Sequence, residues 1–542
     1  MSLHAVRNKV KKYWTREKVF DSLFLSFLCI IYFIVALINL GDLNAPQTFT
    51  RLAYDEEIKI TLPETTKNPV IYLYSGITED SFELSYTLLN DEQNQNTHHI
   101  SAYFDSAFTW YSIKTKGTAN SIVLKNKSGR DIDLGEIAVY SNEDKQLDIS
   151  ISGVNLDPEE EKSQHYNLAI DEQDLIQKES THLNSFYFDE IYFAQTAYQY
   201  ATEQPGYEAV HPPLGKILQS IPIKLTGRMT PFTWRIMGTI TGVFIIIAVY
   251  FLAKEIFNSA AFARVAAILV SLSGLHFVQT RLGTVDSYLC LFSVLTYLFM
   301  VKFIKSDNKL RYFILSGIFF GCACSVKWSG AFCGFGLAIL FFRKFKATIF
   351  KKGQRKWFIY GLLSFILLPL FIYCASYLGF SKTTNAYSLQ DVYDQGSFLY
   401  SYHSTETTPH PYSSKWYTWP VSLKPMLYSW NGQTKGNRIY LVENYAISYV
   451  SVLGLLIAAF YAIKAKHKPS IIICIAWLSL FVPYIFITRT MFLYHYLPAS
   501  IFAILAIVNI FFLFPRLRKI LPAYLVVVLI TFMILYPMLT GI

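Results

Sequence analysis

Long apolar runs recur along this chain, and their length predicts helices that cross a membrane. The first run covers residues 20–41, and a long polar region separates it from the others. Ten further runs lie near residues 232–253, 260–279, 285–304, 312–326, 328–343, 357–379, 445–463, 470–488, 491–514 and 519–539. A helix needs about 20 apolar residues to cross the hydrocarbon core. The pattern therefore predicts an α-helical polytopic membrane protein with about eleven spans.

Basic residues are concentrated in the short segments between these runs, and they predict the orientation. The segments are residues 1–19, 302–311, 343–356, 464–468 and 516–519. Eleven spans place all of them on one side, which the positive-inside rule identifies as the cytoplasm. The N-terminus is then cytoplasmic, the C-terminus is outside, and residues 42–231 and 380–444 form two large external segments.

Composition supports a membrane protein and excludes other classes. Hydrophobic residues make up 53% of the 542 residues and charged residues only 16%, with a mean hydropathy of +0.30. Soluble domains average about 25% charged residues. A disordered chain and a purely soluble enzyme are therefore excluded. The net charge of +10 lies in the cytoplasmic segments, so we expect no nucleic-acid partner.

The first external segment carries a different, β-type pattern. Between residues 50 and 155, seven short runs, many with alternating apolar positions, are separated by Asn, Asp, Gly and Ser clusters. This spacing predicts an inserted extracellular β-sandwich. The run LGEIAVYSNEDKQL resembles the last strands of discoidin-like jelly rolls. All seven cysteines lie in apolar runs, so we expect that this domain can fold without disulfides.

An acidic pair is the sharpest chemical feature of the sequence. Asp189 and Glu190 follow the β-region and precede a helical stretch, and His211 comes twenty-one residues after Glu190. A carboxylate at an outer membrane face could act as a base. Acids are also favoured in a first helical turn, so a simple N-cap pair is an equal alternative.

Several further ionisable or aromatic residues fall at the same predicted outer boundary. Each one has an ordinary structural explanation, such as helix capping or snorkelling. Together they suit an anionic lipid headgroup and a proton transfer, because phosphate needs cations and a hydroxyl nucleophile needs a base. They are Arg235, Arg281, Asp286, Lys327, Tyr494 and His495, with Trp416 in the second external segment.

These motifs resemble the protein O-mannosyltransferases, which are membrane enzymes of the GT-C glycosyltransferase class. FDEIYFAQTAYQY, HPPLGK and FTWRIMG are similar to the first external loop of that family. RLGTVDSYL, SVKWSG and the region TRTMFLYHYLPA follow in the family's order. The later external loop is short, as in bacterial members, whereas the domain before Asp189 is an addition.

The resemblance implies an inverting transfer of mannose from a polyprenyl-phosphate donor to Ser or Thr of exported polypeptides. It implies that Asp189 is the catalytic base and that Arg235 contacts the donor phosphate, with Lys327 or Arg281 assisting. Glu190 and Asp286 would orient the acceptor or the cations. It also implies a bacterial plasma membrane, with the active site on the extracellular face.

Alternatives remain open on the sequence alone. The same donor chemistry could act on a wall polymer, a glycolipid or another sugar. A transporter for lipid-linked sugars is disfavoured because the notable charges lie at one face rather than near mid-membrane. A non-catalytic glycan-binding protein is a third alternative. The resemblance implies no required cofactor, although a divalent ion could bind Asp189, Glu190, Asp286 and a nearby histidine.

The predicted organisation follows from these patterns. It comprises a basic N-terminus (1–19), a first transmembrane helix (20–41), the β-sandwich with its linker (45–182), a catalytic external loop (183–231), transmembrane helices two to seven (232–379), a second external loop (380–444) and transmembrane helices eight to eleven (445–542).

Overall fold

The computed structural model shows a helical bundle and a β-domain inserted between its first two long helices. It describes residues 16–77, 82–90, 100–104, 106–154, 165–306, 309–345, 355–378, 388–430 and 438–542. Most of the predicted basic N-terminus and the acidic linker at residues 157–161 lie outside the described residues.

Fifteen helices of the described chain carry the architecture. They are α1 (Arg16–Leu37), α2 (Glu190–Ala201), α3 (Leu214–Thr226), α4 (Pro231–Phe257), α5 (Ala260–Ser271), α6 (Gly274–Gln279), α7 (Asp286–Lys305), α8 (Leu310–Val326), α9 (Phe332–Phe345), α10 (Arg355–Ser376), α11 (Leu389–Thr405), α12 (Tyr445–Lys464), α13 (Lys468–Phe481), α14 (Leu497–Leu513) and α15 (Leu521–Thr540). Helix α10 contains a π-helical turn at Leu363–Leu367.

The helices lie where the apolar runs predict them. Among the described residues, eight helices are long and apolar enough to cross a membrane. The predicted spans at 260–279, 312–326 and 328–343 contain the shorter helices α5, α6, α8 and α9. The chain is thus a multi-pass membrane protein, as predicted, and the count of eleven spans stays a prediction.

The β-domain consists of two antiparallel sheets packed face to face. Its strands are β1 (Thr50–Leu52), β2 (Glu57–Lys67), β3 (Val70–Ser75), β4 (Phe82–Leu89), β5 (Ile100–Phe104), β6 (Trp110–Lys114), β7 (Thr118–Asn126), β8 (Ile132–Tyr140), β9 (Gln146–Leu147) and β10 (Ser150–Gly153). One sheet has the order β1-β8-β3-β6 with β9 beside β8, and the other has the order β10-β2-β7-β4-β5.

Alternating side chains of both sheets form the core of this sandwich. Ile71 and Ile137 from one sheet and Ile60 and Ile122 from the other are fully buried in a shared apolar cluster. This period of two is what places one face of each strand inside. The predicted β-sandwich is therefore present, and its jelly-roll character stays a prediction.

A second apolar cluster joins the sandwich to the helices. Phe108 and Trp110 of the sandwich pack with Ala194 of α2, Ile223 of α3 and Trp234 of α4. Helices α2 and α3 therefore lie between the β-domain and the bundle. This is the region that contains the predicted catalytic loop.

A two-stranded hairpin and the turn before α7 complete the surroundings of this loop. The hairpin consists of β11 (Met426–Trp430) and β12 (Arg438–Leu441). Gly215 of α3 lies so close to the turn that an added Cβ would be 2.7 Å from Val285. The small residue thus lets α3 pack directly against the start of α7.

Candidate active site at the outer ends of the helices

The segment that carries the acidic pair enters α2 through an unusual backbone conformation. Phe188 has a φ of +55°, the left-handed region that non-glycine residues rarely adopt. Its ring stacks on Tyr428 of the hairpin, with ring centroids 4.6 Å apart. Such a conformation costs on the order of 1–3 kcal/mol and persists only where packing enforces it. The hairpin therefore helps to fix the residue that immediately precedes Asp189.

Glu190 is completely buried and joins three separate parts of the chain. Its carboxylate accepts hydrogen bonds from Arg235 Nε (2.7 Å) and Nη2 (2.6 Å) and from Trp234 Nε1 (3.2 Å). It also accepts bonds from the backbone N–H groups of Gly283 (2.8 Å) and Tyr187 (3.3 Å). This carboxylate thus fastens α2 to α4 and to the turn before α7, and it holds the Arg235 cation.

Arg235 has no free donor for a ligand in this arrangement. Besides its two bonds to Glu190, Nη1 donates to the carbonyls of Leu40 (2.9 Å) and His182 (2.6 Å), and Nη2 donates to Ser185 (2.8 Å). These bonds use all five N–H groups of the guanidinium. The side chain is 0% exposed. The geometry therefore does not support the expected contact of Arg235 with a donor phosphate.

Arg281 is likewise occupied, by the ends of two helices. Its guanidinium donates to the carbonyl of Ala36 in the last turn of α1 and to the carbonyls of Ile38 and Asn39 just after that helix. It also donates to the carbonyl of Leu539 in α15. Cations stabilise these unsatisfied carbonyls at helix C-termini. Arg281 thus ties the first helix to the last, and its assistance at the phosphate stays a prediction.

Asp189 differs from its neighbour because the described residues give its carboxylate no hydrogen-bond or ion-pair partner. Burial raises its pKa to about 7, Lys327 lowers it, and Asp286 and Glu208 raise it. A carboxyl group with these properties is about half ionised near neutral pH and remains available to an incoming hydroxyl. Those are the requirements of a general base.

Asp286 and Lys327 form a second, nearly buried pair beside Asp189. The Lys327 ammonium lies 3.0 Å from Asp286 Oδ1 and 5.2 Å from the centre of the Tyr494 ring. An ammonium has three donors, and one of them is directed to this carboxylate oxygen. Lys327 can therefore keep Asp286 and still bind an anion.

A cavity of about 830 Å³ opens next to this pair and has two unlike sides. One side is apolar and comes mainly from α10, with Phe365, Ile366, Pro369 and Leu370. The other side is basic and aromatic, with His211, Lys327, Trp328, His403, Tyr484, Arg489 and His495. Asp189 does not line the cavity, but Lys327 and Arg489 lie near enough for their charges to lower its pKa.

His211 lies on the basic side of the cavity, held by its neighbours on the same loop. Its Nδ1 is 2.7 Å from Glu208 Oε1, and Glu208 also pairs with the buried Lys216. Lys216 in turn donates to the backbone carbonyl of His211 (2.8 Å). The His211 Nε2 is buried without a partner among the described residues. Glu208 thus orients the His211 ring through Nδ1, and Nε2 remains available to a ligand.

Two functional candidates were missed by the sequence analysis, namely Arg489 and His403. His403 of α11 donates from Nε2 to the Val210 carbonyl (2.8 Å), so its Nδ1 is free to accept a bond from Arg489. The Arg489 Nε is buried without a partner in the described chain. The only sequence signal was that Arg489 is a cation in a short segment predicted to be external. It lies in the motif TRTMFLYHYLPA, in which the aromatic residues are more conspicuous.

Of the three remaining predicted residues, two lie at the cavity or beside Lys327 and one lies elsewhere. His495 lines the cavity and stacks on Trp419, with centroids 5.9 Å apart. Tyr494 contributes its ring face to Lys327. Trp416 packs against Phe481 and does not line this cavity, so the structure does not bring it to the others.

The acids of the site are not arranged as a metal centre. Asp189, Glu190 and Asp286 form no three-ligand group within metal-binding distance among the described residues. Glu190 and Asp286 are instead neutralised by Arg235 and Lys327. In the described structure, cations of the protein itself thus neutralise these two acids.

The fold is shared with a membrane glycosyltransferase of known structure. The yeast (S. cerevisiae) protein O-mannosyltransferase Pmt1-Pmt2 complex bound to the sugar donor matches with a TM-score of 0.59 at 13% identity. The match covers 66% of this chain and 87% of that one. The chain therefore shares the fold of that protein over the matched part.

Two family models then identify the relatives. Residues 179–381 match the dolichyl-phosphate-mannose-protein mannosyltransferase model, and residues 388–542 match the C-terminal four TMM region of protein-O-mannosyltransferase. Together they span about two thirds of the chain, and the β-sandwich precedes both. The chain belongs to the protein O-mannosyltransferase family.

Curated bacterial relatives carry one common name, polyprenol-phosphate-mannose–protein mannosyltransferase. The protein of Mycolicibacterium smegmatis is 26% identical over 310 residues, which are 45% of this chain and 59% of that protein. The protein of Corynebacterium glutamicum is 26% identical over 344 residues, 52% of this chain and 66% of that protein. The chain thus spans roughly three fifths of the length of the relatives it matches.

Proposed function

We propose that this protein transfers mannose, or a related hexose, from a polyprenyl-phosphate donor to Ser or Thr hydroxyls of exported polypeptides. One observation carries the proposal: the Asp189 carboxylate, which has no partner among the described residues, lies beside cations that line a cavity with an apolar wall. The names of the relatives favour the same donor and acceptor. The protein is placed in a bacterial plasma membrane, with the N-terminus cytoplasmic and the site on the outer face.

In the proposed reaction, Asp189 removes the proton from the acceptor hydroxyl as its oxygen attacks the anomeric carbon. The bond between that carbon and the phosphate oxygen breaks, and polyprenyl phosphate leaves with the electron pair. Because attack occurs opposite the leaving group, the configuration at the sugar inverts. Fixed charges in a water-poor site stabilise this charge movement without reorganisation.

The phosphate contacts are assigned to Lys327 and Arg489, because both line the cavity and have donors to spare. The prenyl chain then follows the apolar wall of α10. His211 and His495 lie on the same side and supply further polar contacts. Glu190, Arg235 and Arg281 act as positioning residues that hold the backbone around the site.

The test uses the full chain in detergent with labelled polyprenyl-phosphate-mannose and exported proteins as acceptors. The variant Asp189→Asn removes the base while keeping the shape of the side chain. We expect its transfer rate to fall by about 10²- to 10⁴-fold. Mass spectrometry follows hexose on Ser and Thr, and size exclusion checks the fold. Asp394→Asn, which changes an exposed acid of α11, is the matched control.

Each outcome of this experiment decides one part of the proposal. Hexose on Ser or Thr that is lost only in Asp189→Asn supports the reaction and the base. Near-normal transfer by Asp189→Asn contradicts the role of that residue. Donor consumed into a lipid or polymer fraction contradicts the acceptor, and no donor consumption contradicts the donor.

A further inference from the structure

Three carboxylates meet where the β-sandwich joins the rest of the chain, away from the active site. They belong to Glu136 of β8 and to Asp171 and Glu172, which follow the sandwich. One oxygen of each lies within 4.8 Å of the others. No Lys, Arg or His of the described chain forms an ion pair with any of the three. Like charges this close repel unless a cation or a proton intervenes.

Two buried polar atoms at this place lack partners within the described ranges. Glu136 is 0% exposed, and its Oε1 accepts no hydrogen bond. Tyr74 of β3 is 1% exposed, and its hydroxyl also lacks a partner. Tyr74 and Glu136 are directly opposite in the β3–β8 register, so their side chains share one face. Unpaired groups this deeply buried point to a ligand that satisfies them.

Backbone donors already hold the carboxylates in a fixed arrangement. The other oxygen of Glu136 accepts the Glu172 N–H (2.8 Å). Glu172 Oε2 accepts the N–H groups of Gln47 (2.6 Å) and Thr48 (3.1 Å). The Thr48 hydroxyl lies 2.9 Å from Asp171 Oδ1. The cluster is therefore built by three chain segments rather than by chance proximity on a surface.

We propose that Glu136, Asp171 and Glu172 bind one Ca²⁺ ion. Ca²⁺ takes oxygen ligands at about 2.3–2.6 Å, so two ligands of one ion lie at most about 5.2 Å apart. The three oxygens lie within 4.8 Å of one another, inside that limit. Asp171 is exposed, which leaves room for the waters that complete the coordination shell. The orphaned Tyr74 hydroxyl can bond one of these waters.

The ion would fasten the base of the sandwich to the membrane domain. Gln47, whose N–H binds Glu172, also pairs with the backbone of Met229 through two bonds of 2.8 and 3.0 Å. Met229 lies just before α4, the helix that carries Arg235. A bound cation therefore stiffens the joint between the two parts of the protein without touching the catalytic residues.

The test measures Ca²⁺ binding by the EDTA-treated full chain in detergent, using equilibrium dialysis and thermal unfolding. We expect about one Ca²⁺ per chain and a higher unfolding temperature with Ca²⁺ than with EDTA. Glu136→Gln and Asp171→Asn should each lose the ion. Asp131→Asn, a change at an exposed acid of the same domain, should retain it. Asp171→Asn keeps the test valid if the buried Glu136 variant fails to fold.

Terbium luminescence gives a second readout that is independent of stability. Tb³⁺ replaces Ca²⁺ at oxygen sites and is excited through nearby aromatic rings. Tyr74 and Trp110, whose centroids are 5.3 Å apart, should sensitise it at this cluster. Emission that Ca²⁺ displaces and that Asp171→Asn abolishes supports the site. No uptake by the folded native chain, or equal uptake by Asp171→Asn, overturns it, as does stability that responds to pH but not to Ca²⁺.

Discussion

Two adjacent acids of this protein have opposite environments, and that difference supports the different roles proposed for them. Glu190 is saturated by donors from Arg235, Trp234 and Gly283, whereas Asp189 has no partner in the described chain. A buried pair such as Glu190 and Arg235 fixes geometry, and removing one partner leaves an uncompensated charge. Asp189, the proposed base, can therefore lack a partner in the described chain because its neighbour Glu190 supplies the rigidity.

The pH dependence of transfer should report Asp189. Because burial raises its pKa to about 7, the carboxylate form that the proposed base requires is lost as pH falls through 7. We expect kcat/KM to rise between pH 5 and 8 with a midpoint near 7. Burial lowers the pKa of the nearby His211, and it lowers the pKa of His403 to about 4, so His403 stays neutral over this range.

The variant Asp286→Asn sharpens this measurement. It removes a carboxylate that raises the pKa of Asp189 and frees the Lys327 cation, which lowers it. The midpoint should therefore move to lower pH. A flat profile in the native protein, or a midpoint that moves to higher pH in the variant, would argue against Asp189 as the base.

Arg235 and Lys327 should behave differently when each is replaced. Arg235→Lys keeps the charge but loses most of five hydrogen bonds, so we expect the free energy of unfolding to fall by about 2 kcal/mol or more.

Lys327→Met should weaken binding of polyprenyl phosphate about 10-fold or more, because a charge-assisted bond is lost. Thermal unfolding and lipid-binding titrations separate the two effects. If Arg235→Lys binds polyprenyl phosphate more weakly but unfolds at the native temperature, Arg235 contacts the phosphate after all.

Close helix packing around the cavity depends on glycine. A Cβ on Gly317 of α8 would lie 2.1 Å from the Ser364 carbonyl of α10, a backbone atom that cannot move independently. A Cβ on Gly361 of α10 would meet no atom closer than 3.7 Å. The first helix pair therefore packs backbone to backbone, as small residues permit in membranes.

This difference predicts opposite effects of two alanine substitutions. Gly317→Ala should destabilise the protein by about 1–3 kcal/mol because the two helices must separate. Gly361→Ala should be neutral or stabilise it by up to about 1 kcal/mol, since alanine is the better helix former. Thermal unfolding in one detergent compares them. Equal unfolding temperatures would show that the α8–α10 contact is not tight.

Helices and strands were predictable because their signals are local and periodic, whereas the partners of the site residues were not. Asp189 and Lys327 could be identified from charges at helix ends. The saturation of Arg235 could not, because its bonds go to backbone carbonyls at positions 40, 182 and 185, which any residue type could supply. Arg489 and His403 come from different external segments, and only the tertiary fold brings them together.

For the molecule as a whole, the proposed orientation can be tested with single cysteines. Ser404 of α11 and Ala465 after α12 are both exposed and lie on opposite predicted sides of the membrane. An impermeant maleimide added to intact cells should label Ser404→Cys and not Ala465→Cys. The native cysteines lie in apolar runs, so the unsubstituted chain sets the background. The reverse labelling would invert the orientation.

The bonds of Glu190 also determine when the site can exist during biosynthesis. Asp189 leaves the ribosome early, but the donors that fix its neighbour come from residues 235 and 283. Arg489 is made more than two hundred residues later still. In the proposed orientation, the nascent chain therefore exports Asp189 well before the residues that position it and the cation assigned to the phosphate have been made.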